Sequence, residues 1–245
     1  MEALRFTLSG RAACFRQPDV NTQVYFTYNN IHRVALLGLL GAVLGLSGYR
    51  NYKLYGQEKP TFPEFYEVLS PMLVSVTPNS KNGYFPKKIQ YFNNSVGYAS
   101  KEQGGNLQVR EQWLEKPSWT VLLLQHQLES EVWEKLCHKL FHKECVFIPY
   151  LGRNDFPAQI DDVGYVDISP SRKTKIDSLF LYEGDLKALG GGPSQYLFVE
   201  TAPIGLVPDI NFYEFGRYLF TNATIPEEAL PEHLYTDGER QYCFY

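Results

Sequence analysis

The chain has 245 residues, 44% of them hydrophobic and 20% charged, which supports a packed core and excludes an intrinsically disordered chain. Its net charge of −4 excludes a uniformly basic nucleic-acid binder, yet residues 1–120 carry 13 Lys and Arg against 8 Asp and Glu, while residues 121–245 carry 10 against 19. That asymmetry fits either a basic face for a polyanion beside an acidic remainder, or surfaces that are uneven and solvated.

Ala3–Ser9 alternates Leu4, Phe6 and Leu8 with Arg5, Thr7 and Ser9, the pattern of a half-buried strand that Gly10 ends. Arg11–Asn30 reads as a loop of arginines, aromatics and asparagines. Asn29 or Asn30 is expected to cap a helix running to about Leu46. Gly38, Gly41, Gly45 and Gly48 fall on one side of that helix. Glycine costs helix stability, so the spacing predicts close approach to a sheet, another subunit or a nucleic-acid backbone. The apolar run Val34–Leu46 is shorter than the ~20 residues of a membrane-spanning helix.

A short helix is expected around Phe62–Leu69 and a strand over Leu73–Thr77. Asn79–Pro117 reads as a long exposed hairpin or paired loop, with Lys81, Tyr84, Phe85, Lys87, Lys88, Tyr91 and Phe92 on one arm. Val109, Arg110 and Trp113 lie on the other arm, after the Gly104-Gly105 turn signal. Trp119–Gln125 is a buried strand, Glu129–His142 an amphipathic helix and Val146–Tyr150 a further strand. This order predicts an α+β fold, a ferredoxin-like, RRM-type domain over residues 1–150 with a hairpin thumb at about 77–118. Residues 151–245 have strand-like runs at Tyr165–Ile168, Leu179–Tyr182, Tyr196–Val199 and Asn211–Leu219, and a turn or linker at Gly190–Pro193. They form either a second β-rich lobe or strands packed on the first unit. The acidic stretch Pro226–Glu239 fits a partner-protein contact and a solvated face equally well.

Four groupings could carry chemistry. Arg5, Arg11, Arg16, Tyr28, Asn29, His32 and Arg33 gather around the expected helix start, where free N–H groups suit phosphate and Asn suits a base edge; solvated surface arginines are the other reading. Lysines interleaved with aromatics over Lys81–Phe92 match the needs of single-stranded RNA, charge along the backbone and rings for splayed bases; an ordinary hairpin packed on the body is the alternative. Cys137, His138, His142 and Cys145 could be metal ligands, but helix geometry turns Cys137 away from His138, so no metal is expected. His32 with Tyr28 and a hairpin lysine could supply acid–base chemistry for RNA cleavage. The four cysteines, Cys14, Cys137, Cys145 and Cys243, show no disulfide spacing, and Met1–Gly10 is no signal peptide, so free thiols and a cytoplasmic location are expected.

Three stretches carry a family resemblance: Leu4–Gly10, then Ala12-Ala13-Cys14-Phe15-Arg16, then the Arg33–Gly45 helix of the form G-L-L-G-A-x-L-G. A fourth is Pro149-Tyr150-Leu151-Gly152-Arg153. In order and spacing the chain resembles the Cas-five family of the RAMP superfamily, subunits of type I CRISPR Cascade, nearest to subtype I-B. The resemblance implies a non-catalytic RNA-binding subunit in antiviral defence, with no cofactor, that caps the 5′ handle of crRNA. The implied partners are the Cascade backbone and large subunits, and target DNA in the assembled complex, with no membrane. Arg5, Arg11, Arg16, Asn29 and Arg33 would face the handle, Lys81–Phe92 would form the covering thumb, and Arg153 would either touch RNA or close a turn. One branch of the family is a pre-crRNA endoribonuclease using Tyr, Lys and His. Here Lys87 is followed by Lys88 and not by a thumb histidine, a departure from that branch.

Overall fold

The computed structural model describes residues 1–18, 24–49, 60–93, 101, 103, 108–190 and 192–245. The expected Gly104-Gly105 turn and Gly191 lie outside the described residues.

The alternating N-terminal segment forms strand β1 (Glu2–Ser9), the centre of an antiparallel sheet. It pairs on one side with β6 (Ser118–Leu124) and on the other with β7 (Gln159–Asp167); β3 (Leu73–Pro78) adds to the far edge of β6. The strand order is β3-β6-β1-β7. Helix α1 (Arg33–Leu44) follows β1 in the chain, α2 (Glu64–Leu69) precedes β3, and α3 (Ser130–Phe141) joins β6 to β7. Strand alternation sends Leu4, Phe6 and Leu8 into one core with Val74, Val76, Val121 and Leu123 and the apolar sides of α1 and α3. Arg5 and Thr7 face the other way. That outer face is covered at one end, where Tyr242 and Phe244 pack with Ala3, Leu122 and Leu124.

The fourth strand differs from expectation. Val146–Tyr150 is not a strand; β7 takes that place in the sheet. The segment's backbone is used at the end of α1, where the Val146 and Phe147 N–H groups donate to the Val43 and Ala42 carbonyls at 3.1 and 3.0 Å. Helix ends leave such carbonyls without intrahelical partners, and this segment supplies the donors. Its side chains consequently turn outward: Val146, Phe147 and Ile148 are all exposed.

Helix α1 is bounded by His32 and Gly45. Its N-cap is His32, whose Nδ1 accepts from the Ala35 N–H, and not Asn29 or Asn30. Of the four glycines, Gly38 and Gly41 lie in the helix and face Phe65, Gly45 is the C-cap against Val146, and Gly48 lies beyond the helix with nothing near it. A Cβ on Gly41 would come within 2.6 Å of the Phe65 Cβ on α2, so the glycine lets the two helices close on each other.

The hairpin is real: β4 (Lys87–Asn93) pairs with β5 (Gln108–Glu115) in register from Lys87↔Leu114 to Asn93↔Gln108. The other edge of β5 is taken by the short β2 (Ala12–Ala13) and by a bridge from Tyr25 to Glu111. Beyond β7 come β8 (Ser169–Pro170), β9 (Phe180–Leu181), β10 (Leu197–Leu206), β11 (Tyr213–Thr221), β12 (Leu234–Thr236) and β13 (Gln241–Cys243). They form two three-stranded sheets, β10-β11-β9 and β13-β12-β8. The main core takes in Leu179, Phe198, Leu206 and Phe220 from this part, so one hydrophobic cluster spans residues on both sides of position 150.

Arg33 fastens the far end of the chain to α1. Its guanidinium donates to the carbonyls of Ser70 (2.6 Å), Met72 (3.2 Å) and Tyr245 (3.3 Å). Replacing Arg33→Met keeps the aliphatic bulk and removes the guanidinium from all three carbonyls, of which Tyr245 retains the Val74 N–H at 3.2 Å. The expected loss is ~2–3 kcal/mol in urea unfolding; a change below ~0.5 kcal/mol would show that the carbonyls find other donors.

Candidate nucleic-acid interface

Alternation along the hairpin gives it two different faces. One carries Phe92, Val109, Glu111 and Trp113; the other carries Ile89, Tyr91, Arg110 and Gln112. On the second face Tyr91 is 65% exposed and the Arg110 guanidinium lies over its ring, 5.3 Å from the centroid.

The first face forms a wall of a cleft of about 690 Å³. The opposite walls are the Cys14–Arg16 segment with Tyr25, and the Tyr150–Asn154 loop. Gly152, at φ 82°, seats that loop directly against the Cys14 carbonyl, where any Cβ would collide. Leu151 is sealed in the core, and its carbonyl accepts from the Cys14 N–H at 3.0 Å.

Two arginines converge on the cleft. Arg16 is exposed, with its guanidinium stacked over the Tyr25 ring at 3.5 Å. Arg153 sits over Phe92, Trp113 and Phe156 at 5.4–5.9 Å and donates to Glu111 and, at 2.8 Å, to Asp155. The Glu111 Oε2 also accepts from the Trp113 Nε1–H at 2.9 Å. Cys14 lies at this junction; burial, reinforced by Glu111, pushes its thiol up to about 12, so it stays protonated. Cys14, Arg16, Tyr150 and Gly152 also border a second, more apolar groove of about 770 Å³ that runs along α1 past Gly38 to Phe147.

The other residues expected to meet RNA are distributed differently. Arg5 is exposed on the outer sheet face, and Arg11 is exposed beside Lys116, whose N–H its carbonyl receives. Tyr28 is buried against the His32 ring. Asn29 is buried: its N–H donates to Glu200 at 2.8 Å, its Nδ2 to the Gly83 carbonyl at 2.7 Å, and its Oδ1 accepts from Phe85. Phe85 itself packs on Trp119. His32 is enclosed by Phe15, Tyr28 and Tyr213, and Arg33 is committed to the three carbonyls above. Tyr28, Asn29, His32 and Phe85 are thus buried and Arg33 is half-buried, all outside the lining of the hairpin cleft, although His32 borders the α1 groove.

On the hairpin side, Lys81 and Tyr84 are exposed, and Tyr84 rests edge-on against Phe198. The Lys87 ammonium bends back to the Thr27 carbonyl at 3.3 Å; desolvation there lowers its pKa, with nearby Glu200 opposing. Lys88 pairs with Glu115 at 3.2 Å. His138 and His142 stack on each other, 4.1 Å apart, with Cys137 buried and Cys145 exposed; among the described residues no group of three or more acidic, His or Cys side chains could hold a metal ion. No helix among the described residues is long and apolar enough to cross a membrane.

No family model matches the chain, and neither does any curated protein. Solved structures do. A chain of a "CRISPR RNA-guided surveillance complex" superposes with a TM-score of 0.51 at 11% identity, covering 94% of this chain and 93% of that one. A CRISPR protein from Archaeoglobus fulgidus gives 0.48 at 10% identity, with 99% and 98% covered, and a type III-B Cmr-beta complex chain gives 0.46 at 9%, with 93% and 86% covered. The first of these likenesses is one of fold: the chain has the mixed α/β, mostly antiparallel architecture of that surveillance-complex chain.

Buried His32 and half-buried Glu200, which line one small internal cavity, titrate in opposite senses. Burial lowers His32 from 6.5 to about 3, so between these values the unfolded chain holds the extra proton and stability rises with pH. Burial raises Glu200 from 4.5 to about 7, so there the folded chain holds the extra proton and stability falls with pH. The two slopes, each ~1.4 kcal/mol per pH unit at most, cancel between pH 4.5 and 6.5. Relative to wild type, Glu200→Gln is expected to add a rising slope across that window, and His32→Asn, which retains a capping side chain, a falling one. Urea unfolding at half-unit pH steps checks both; parallel curves for wild type and variants would refute the pairing.

Proposed function

We propose that the chain is a non-catalytic RNA-binding subunit of a type I CRISPR Cascade, of the Cas-five kind and nearest to subtype I-B, holding the 5′ handle of crRNA. The observation that carries the reading is the cleft at the hairpin base, where two arginines ride on aromatic rings. Guanidinium groups suit phosphate, rings suit splayed bases, and single-stranded RNA offers both. The β1-α1-β3-β6-α3-β7 order, with strands arranged β3-β6-β1-β7, supports the ferredoxin-like, RRM-type body of that family, and β4–β5 supports its thumb. The surveillance-complex chain of like fold supports membership of an RNA-guided assembly. Exposed Ile210 and Phe212, at the turn between β10 and β11, and Phe147 and Ile148 offer apolar surface for the backbone and large subunits.

The passive role is supported by the state of the best acid–base candidate. His32 is buried, caps α1 through Nδ1 and resists protonation down to about pH 3, so it is a poor proton shuttle at neutral pH. The described lining of the cleft contains Tyr25 and Tyr150 but neither Lys nor His.

Two measurements on the purified chain test this. Arg16→Ala is expected to weaken binding of a repeat-derived RNA about tenfold and to flatten the plot of log K against log salt by ~0.7, the loss of one phosphate contact. Arg33→Met, an internal anchor, should leave that slope unchanged. Incubation with unprocessed repeat RNA should yield no product; cleavage abolished by Tyr150→Phe would make the chain the processing nuclease instead.

A further inference from the structure

Glu111 is an odd residue for an RNA cleft. It sits in mid-β5 between Val109 and Trp113, on a face that also carries Phe92, Gln90 and Lys88, and its side chain is largely buried. A carboxylate there repels phosphate, yet the fold holds it in place with two donors, the Trp113 indole and the Arg153 guanidinium, both on Oε2. Its other oxygen receives no hydrogen bond from any described residue and is not among the polar atoms sealed away without a partner. Among the described residues Oε1 is thus an acceptor without a donor, on a side chain that lines the cleft. Arg153 neutralises the carboxylate, leaving Arg16 as the uncompensated cation at the cleft.

We propose that Glu111 reads one unstacked RNA base in this cleft, accepting a hydrogen bond from an exocyclic amino group, so that adenine, cytosine or guanine is held in preference to uracil. This rests on the RNA-binding reading and adds base choice to it. The rings of Tyr25, Phe92 and Tyr150 stand on the walls and suit any base by stacking, so they bring no selectivity of their own. The acceptor discriminates. Adenine N6 and cytosine N4 are donors, and guanine offers N1–H and N2–H together; a carboxylate accepting from such an edge is an established way to read a base. Uracil presents a single N3–H between two carbonyl oxygens, both of which the carboxylate repels. Arg153 serves here as a positioning residue: it fixes the Glu111 rotamer and saturates Oε2.

Fluorescence anisotropy with 5′-labelled eight-nucleotide homopolymers, A8, C8 and U8, at one salt concentration tests this on the full chain. A8 and C8 should bind about tenfold more tightly than U8, the worth of one hydrogen bond to a charged group. Glu111→Gln keeps acceptors for Trp113 and Arg153 but adds an amide donor, so it should erase or invert that preference. A probe-side control needs no change to the protein: N6,N6-dimethyladenosine octamer, which lacks the amino donor, should bind wild type as weakly as U8. Equal binding of A8 and its dimethylated form would overturn the inference, while a tenfold loss with Arg16→Ala in the same assay keeps the RNA reading standing. No binding of any octamer, with or without Arg16, would overturn both.

Discussion

The Glu200 carboxylate, accepting from the backbone N–H groups of Asn29 and Asn30 at 2.8 and 3.4 Å, is the joint on which the rest of the structure depends. Those two asparagines stand at the turn into α1. Their side chains reach the Gly83 carbonyl at the hairpin base, and the Asn30 Oδ1 accepts from the Trp119 indole on β6. One buried polar knot thus fixes the start of α1, the foot of the hairpin, the centre of the main sheet and β10. Shielded from most of the water, such bonds are stronger than at a surface, and a missing one is costlier. The raised affinity of Glu200 for a proton is the thermodynamic trace of burying a carboxylate to make this joint.

That joint also explains which parts of the molecule were legible in sequence. Period-two alternation gave β1, and the 3.6-residue stripe gave α3, because one face of each meets the core. The hairpin was legible through its paired polar-aromatic arms. Val146–Tyr150 misled because an apolar run of that length reads as a strand, whereas its N–H groups are consumed by the carbonyls of α1. The basic-aromatic loop before α1 reads as a ligand surface because sequence does not show that Asn29 and His32 are buried and that Arg33 is engaged by three carbonyls. Polar residues that tie a loop down and polar residues that bind a ligand have the same composition.

In the cleft, Arg16 and Arg153 were nameable from their motifs, while Tyr25 had no local signal at all. Glu111 did have one. In Val109-Arg110-Glu111-Gln112-Trp113 a strand reading puts the carboxylate on the apolar face, and a charge there signals a partner or a task. Charge counting alone overstated the hairpin. Lys87 is drawn to the Thr27 carbonyl beside Glu200 and Lys88 is paired with Glu115, whereas Arg16 and Arg110 lie over rings with no carboxylate partner among the described residues.

The placement of β5 has a consequence for how the molecule behaves in a crowd. Both of its flanks are occupied, by β4 on one side and by β2 and Tyr25 on the other, which leaves β4 as the border of that small sheet. A border strand is an invitation to runaway stacking of one copy on the next, and Lys87-Lys88 at its start are the kind of residues that discourage such growth. The backbone of β5 is thus closed to other molecules, and the edge of β4 that remains open begins with two lysines.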